Sequence, residues 1–175
     1  GDSLRAGMAK VEANCTDLYG VRLEVIQSDR TYYVSTTGND ANDGLSVGTP
    51  VATILKATQL IHNALWVPRG LYAIVKLADG TYTVGSSIVL RPVAGTGTYV
   101  VQGNTGNQAS VIGTISVAGG VFLATDASTR WNVRYMTLQS TGGGSGLVAE
   151  RGGVIQFQNL TFGTGMVSHI VAATN

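Results

Sequence analysis

The sequence contains little charge and no long apolar run. Only 12% of its 175 residues are Asp, Glu, Lys or Arg, about half of the roughly 25% usual in globular proteins. The formal net charge is +1, and both signs are interspersed, so the chain has neither a basic footprint for nucleic acid nor a polybasic membrane patch. No apolar stretch approaches the roughly 18 residues of a membrane span. We therefore expect no nucleic-acid partner and no membrane insertion.

Cysteine is also scarce, whereas glycine is abundant. The single cysteine, Cys15, excludes an internal disulfide and cannot form a metal site alone, and we expect no cofactor. The N-terminus lacks the basic-then-apolar layout of a signal peptide. Glycine accounts for 24 residues, about double its usual share of ~7%. Together with many Ser, Thr, Val and Asn residues, this composition predicts an all-β protein of short strands and tight turns.

Residues 2–19 predict a helix with a narrow apolar stripe. Apolar residues recur four and three positions apart, which is typical of a coiled-coil seam; an amphipathic helix lying on its own domain is the alternative. A short strand and a polar break at residues 27–30 follow. We interpret residues 1–30 as an N-terminal attachment segment and residues 31–175 as the main domain. The seam residues are Leu4, Met8, Val11, Cys15 and Leu18.

The main domain begins with a strand, a polar turn and a predicted helix. The strand YYV (32–34) is followed by GNDANDG (38–44), whose residues tolerate left-handed backbone and bond their own amides. Thr49 is the predicted N-cap and Pro50 the first helical residue. Apolar residues at helical spacing continue the predicted helix to about Trp66.

From Leu71 onward the sequence shows short strand-like runs separated by Gly, Ser, Thr or Asn. WNVRYMTLQST (131–141) aligns with IQFQNLTFGT (155–164) at an offset of 24 in sequence number, and GLVAE (146–150) aligns with HIVAA (169–173) at an offset of 23. This period is the length of one turn of a parallel β-helix. The repeat therefore favours a parallel solenoid over a β-sandwich.

Three motifs in order, YYVSTTGNDANDGLSVGTPVATILKATQLI, VKLADGTYTVGSSIVL and YVVQGN, carry a family resemblance. Residues 31 to about 104 resemble the N-terminal cap and first coils of pectin-lyase-like β-helices, most closely those of bacteriophage tailspikes and tail fibres. The resemblance implies a right-handed parallel β-helix, a helix that caps its first coil, and a parallel homotrimer. HIVAATN stops in mid-coil, so we expect a longer spike or a neighbouring subunit to cover the last coil.

For function, the resemblance implies a structural virion component that links a tail attachment region to a receptor-binding shaft. The expected partners are other tail or baseplate proteins, with a host surface polysaccharide as a further candidate. The alternative is a fragment of a polysaccharide lyase or glycoside hydrolase, and a third interpretation is a secreted adhesin on the same solenoid. Whether this segment is an enzyme stays open, and a structural role is the preferred interpretation.

Two groups of residues could carry chemistry. Asp40, Asn42 and Asp43 partly match a calcium loop, but the ordered ligand spacing and closing Glu are missing, so bonding within the turn is the alternative. Asp126 and Glu150 are separated by the same offset as the repeat, so one turn of the solenoid could bring them together as a catalytic carboxylate pair; solvated surface roles are the alternative.

Other side chains near these acids also have two interpretations. Three arginines could pair with the acids or contact an anionic sugar: Arg130, Arg134 and Arg151. Five aromatic residues could stack on sugar rings or fill the core: Tyr72, Tyr82, Tyr99, Trp131 and Tyr135.

Overall fold

The computed structural model describes residues 23–125 and 130–172. This part of the chain folds mainly into strands, with one α-helix and one short 3-10 helix, which agrees with the predicted all-β class. The elements are β1 (Glu24–Val25), β2 (Arg30–Val34), α1 (Ile54–Ala64), β3 (Leu65–Val67), β4 (Tyr72–Leu77), β5 (Gly80–Val84), β6 (Ile88–Leu90), β7 (Ala94–Gly95), β8 (Thr98–Gln102), the 3-10 helix (Gln108–Ser110), β9 (Val111–Ile115), β10 (Val121–Thr125), β11 (Arg130–Ser140), β12 (Ser145–Ala149), β13 (Val154–Phe162) and β14 (Ser168–Ala172).

The strands form three sheets, and every strand pair among the described residues is parallel. The three-stranded sheet has the order β1-β3-β7, and the four-stranded sheet has the order β14-β12-β10-β6. The long sheet has the order β2-β4-β8-β11-β9-β5, with β13 paired to β11. Parallel neighbours require the chain to travel away and return between them, so the architecture is all-β and β-helix-like.

The register confirms the sequence repeat. Strand β11 pairs with β13 so that Asn132 faces Gln156 and Met136 faces Leu160. Strand β12 pairs with β14 so that Leu147 faces Ile170. The sequence repeat aligns these same residues with one another. The aligned sequences are therefore neighbouring strands, and alike residues stack on one another.

The core is built from columns of apolar side chains that stack in register. Val75 pairs with Val101 and Val101 with Val133, and all three are fully buried. In the next column the rings of Tyr99 and Trp131 lie 5.5 Å apart between centroids. Burying an aliphatic or aromatic side chain of this size contributes about 1.5–3 kcal/mol, so these columns supply much of the stability of the stack.

The helix differs from its prediction at both ends. Its N-cap is Thr53, whose side chain accepts a hydrogen bond from Lys56 N, so Thr49 and Pro50 precede the helix rather than begin it. The helix ends at Ala64, and Leu65–Val67 forms β3, which pairs with β1 and β7. Leu65 and Val67 are buried in the sheet, and the apolar spacing of the predicted helix does not show where this strand begins.

The helix buries one face against the sheets. Its buried residues recur at helical spacing: Ile54, Ala57, Thr58 and Ile61. Thr58 satisfies its hydroxyl by donating to Leu55 O at 2.9 Å. The Nδ1–H of His62 donates to Pro92 O at 2.6 Å, so the exposed side of the helix is also tied to the solenoid.

The long sheet bends where two strands contain left-handed residues. Tyr135 in β11 has φ 58° and Asn159 in β13 has φ 50°. They lie one repeat apart, so the bends stack on one another. Directly after β8, Gly103 is needed at this bend, because a Cβ there would lie 2.0 Å from the carbonyl oxygen of Tyr135. Its hydrogen atom leaves room for the neighbouring carbonyl.

The predicted N-terminal helix and its seam of Leu4, Met8, Val11, Cys15 and Leu18 lie outside the described residues and stay predictions. In the part of the chain that the structure describes, no helix has the length and apolarity needed to cross a bilayer.

Candidate functional site

The polar turn at residues 38–44 is closed by bonds to its own chain. The Oδ1 atom of Asp40 accepts from the backbone N–H groups of Ala52 and Thr53, at 2.8 and 2.9 Å. The Nδ2 group of Asn42 donates to Pro50 O at 2.9 Å. Asp43 Oδ1 accepts from Leu45 N at 3.0 Å. The three calcium candidates thus all bond groups of the protein, and Asp40 bonds the two backbone N–H groups at the entry to the helix.

Residues 23–125 and 130–172 contain no group of three or more His, Cys, Asp or Glu side chains placed to hold a metal ion. The calcium hypothesis for Asp40, Asn42 and Asp43 stays a prediction.

The candidate carboxylate pair is only half described. Asp126 lies outside the described residues, so its relation to Glu150 stays a prediction. Glu150 directly follows β12 and is exposed, and its backbone carbonyl accepts from Gly153 N at 2.8 Å. Asp79 lies in the turn between β4 and β5, and its Oδ1 atom accepts from Asn104 Nδ2 at 2.8 Å. That bond ties the β4–β5 corner to the loop after β8.

The aromatic candidates divide between core and surface. Tyr82, Tyr99 and Trp131 are buried and fill the core. Tyr82 donates its hydroxyl to Ala78 O at 2.8 Å, and Tyr99 donates to Ala94 O at 2.8 Å. Of the five candidates, only Tyr72, which is 39% exposed, and the half-buried Tyr135 can offer a ring surface to solvent.

Side chains on the outer face of the long sheet form a row that sequence reasoning did not foresee. The register places the residues side by side on five adjacent strands. Along each strand these residues stand next to residues of the core column, and successive side chains point to opposite faces of a sheet, so the row points away from the core. We call this set the outer polar row: Tyr33, Lys76, Gln102, Arg134 and Gln158.

Hydrogen bonds fix the centre of the outer polar row. Arg134 donates through Nε to Gln102 Oε1 at 2.8 Å, and the ammonium group of Lys76 donates to Gly103 O at 2.8 Å. The guanidinium carbon of Arg134 lies 5.9 Å from the centre of the Tyr135 ring. Burial, and then the positive charge of Arg134, lower the pKa of Lys76, while Asp79 acts in the opposite direction. Two cations therefore lie close together on this face.

A second surface feature is a pair of exposed apolar side chains on the three-stranded sheet. Val25 in β1 faces Trp66 in β3, and these side chains are 51% and 50% exposed. The neighbouring residues Ile26 and Leu65 are buried, so the alternation turns Val25 and Trp66 outward. We call these two residues the apolar pair.

An open cleft of about 440 Å³ lies between the start of α1 and β5. Its lining includes Asp40 and three threonines, Thr36, Thr81 and Thr83. The volume falls in the range of small-molecule sites. Asp40 already bonds the helix entry there, so its carboxylate serves the start of α1.

Comparisons with known proteins include a structural likeness. No family model matches the sequence, and no curated protein matches it. A solved rhamnogalacturonan lyase aligns with 83% of this chain at 13% sequence identity and a TM-score of 0.38. The chain spans 56% of the length of that solved protein.

Proposed function

We propose that the chain is a structural segment of a bacteriophage tail spike or tail fibre, built as a right-handed parallel β-helix. In this proposal it assembles as a parallel homotrimer and links the tail to a receptor-binding shaft. The observation that carries the proposal is the apolar pair of Val25 and Trp66, which lies on the outer face of the sheet formed by β1 and β3.

The apolar pair supports self-association on physical grounds. Val25 and Trp66 lie on adjacent paired strands, so their exposed surfaces join into one patch. Covering apolar surface releases roughly 25 cal/mol for each Å² removed from water. In a parallel trimer, each copy would present its patch at the same height. The predicted seam of Leu4 to Leu18 precedes β1 in the chain and would continue that contact surface.

The stacked architecture suits a spike segment. Each passage of the chain pairs with the passages before and after it, so backbone hydrogen bonds and apolar columns run along one axis. Stability of this kind is carried by contacts between neighbouring repeats. A rod that transmits force from a tail to a host surface needs this continuity more than it needs an enclosed pocket.

Light scattering tests the assembly. We expect the full chain to have the mass of a trimer, and Trp66→Ser and Val25→Ser to shift it towards monomer at low concentration. Val47→Ser is the matched control, because Val47 is 74% exposed in the loop before α1. A wild-type chain that is monomeric at every concentration would contradict the proposal. A monomer that also shortens a polysaccharide would favour the lyase or hydrolase alternative.

A further inference from the structure

The centre of the outer polar row has hydrogen-bond donors without acceptors. An ammonium group has three N–H donors and a guanidinium has five. Lys76 uses its bond to Gly103 O, and Arg134 uses its Nε bond to Gln102. Among the described residues, the other ammonium protons and both Nη groups of Arg134 have no hydrogen-bond acceptor. These donors face outward beside one another.

Negative charge does not balance these two cations within the described residues. Neither Lys76 nor Arg134 has a carboxylate oxygen within the 4.0 Å of an ion pair there. The acid that acts on Lys76, Asp79, already accepts a hydrogen bond from Asn104. Holding two like charges together at a half-buried site is unfavourable, so a bound anion would relieve that repulsion.

The site is also ordered before any ligand arrives. Gln102 holds the Arg134 guanidinium through Nε, which leaves the planar pair of Nη groups as a free fork. The backbone of the site is fixed as well, since Gly103 N donates to Arg134 O at 3.0 Å. A guanidinium fork matches the two oxygens of a carboxylate or phosphate, and fixing it in advance lowers the entropy cost of binding.

From these contacts we infer that Lys76 and Arg134 form a binding site for a carboxylate or phosphate group of a ligand. Lys76 and Arg134 lie two strands apart, about 9–10 Å at the backbone, so two long side chains can reach one anionic group between them. Arg134 supplies the fork, Lys76 supplies a point charge, and Gln102 holds the fork in place. Gln158, on the strand after Arg134, extends the site with an exposed amide.

Isothermal titration calorimetry of the full chain at low salt tests the inference, with citrate and pyrophosphate as separate probes. The two probes distinguish carboxylate from phosphate recognition. We expect at least one probe to bind. Arg134→Gln and Lys76→Gln should each weaken its affinity about tenfold or more, because each removes a charge-assisted hydrogen bond.

Two further variants test whether binding depends on the guanidinium fork and on the position of the charge. Arg134→Lys keeps the charge but loses the fork, so it should weaken binding less than Arg134→Gln. Arg69→Gln removes one positive charge at an exposed position in the turn between β3 and β4, outside the row, and should bind like the wild type. Thermal melting of each variant reports whether it is folded. Absence of binding by both probes to the folded wild type, or an equal loss in Arg69→Gln, would overturn the inference.

Discussion

Asp40 holds Thr53 through both oxygens of its carboxylate. Its Oδ1 atom accepts from Thr53 N at 2.9 Å, and its Oδ2 atom accepts from Thr53 Oγ1 at 2.8 Å. Thr53 is itself the N-cap, because its Oγ1 accepts from Lys56 N at 3.1 Å. The polar turn therefore sets where the helix begins, and the buried face of the helix packs against β2 and β4.

Asp40→Ala should destabilise the protein by about 1–3 kcal/mol, because it removes the acceptor for two helix-entry N–H groups and leaves the Thr53 hydroxyl without its partner. Urea unfolding measures this change. Glu150→Ala is the matched control, since the hydrogen bond described for Glu150 uses its backbone, and its unfolding free energy should stay within about 0.5 kcal/mol of the wild type.

The same variant separates a structural turn from a calcium site. If the carboxylate serves the helix entry, calcium or a chelator leaves the unfolding midpoint of the wild type unchanged. A midpoint that rises with calcium in the wild type but not in Asp40→Ala would instead identify this turn as a metal site.

The sequence predicted the parts of the fold that depend on regular spacing. The repeat between 131–141 and 155–164 was visible because neighbouring strands there carry the same pattern, and the register confirms it. The start of the helix was predicted wrongly at Thr49 and Pro50. Asp40 holds the N-cap residue Thr53 from 13 positions away, and such a contact has no local signal.

The outer polar row escaped prediction for a related reason. Lys76 faces Gln102, and Gln102 faces Arg134, but the second pair is further apart in sequence than the first. Loops of different length separate these strands, so no single period brings the three residues together. The sequence offers Arg134 two kinds of partner, the nearby acids or an anionic sugar, but not Gln102, which lies 32 positions away. Its actual partner lies on a neighbouring strand that sequence distance could not identify.

Gly103→Ala should destabilise the stack, because the new Cβ would lie 2.0 Å from Tyr135 O and force the bend of β11 away. We expect a loss of about 1–3 kcal/mol or more, measured by urea unfolding. Gly85→Ala is the control, since a Cβ there meets nothing within 4 Å. That variant should be neutral or more stable by about 0.4–1 kcal/mol. Equal effects of the two substitutions would show that the bend adapts.

Two phenylalanines allow a matched test of the core. Phe122 is fully buried, and its ring packs over Gly113, where a Cβ would meet Phe122 Cζ at 2.5 Å. Phe122→Ala should therefore cost about 3–5 kcal/mol. Phe157 pairs with buried Val133 but is itself 52% exposed, so Phe157→Ala should cost well under half as much in thermal or urea unfolding. A larger loss at Phe157 than at Phe122 would contradict this assignment of the core.

The predicted trimer seam has its own test. Replacing Leu4, Val11 and Leu18 together by Ser should release monomers, because it removes the apolar stripe on which side-by-side helices depend. Light scattering at several concentrations measures the mass. Replacing three polar residues of the same segment, Lys10, Asn14 and Thr16, by Ala is the control and should leave the mass unchanged. An assembly that survives the loss of the stripe must be held elsewhere, with the apolar pair as the next surface to test.

Two buried tyrosines predict a loss of stability in alkali. Burial raises the pKa of Tyr82 and of Tyr99 to about 12, from an ordinary value of 10.0. Because the folded protein favours the neutral phenol, this contribution is fully present below pH 10 and is lost as the pH rises towards 12. Urea unfolding across that range should show a steeper fall for the wild type than for Tyr82→Phe/Tyr99→Phe. If the stability of the wild type and of the double variant falls in parallel with pH, other groups cause the loss of stability in alkali. An absorbance titration of the phenolates would then show both tyrosines ionising near pH 10.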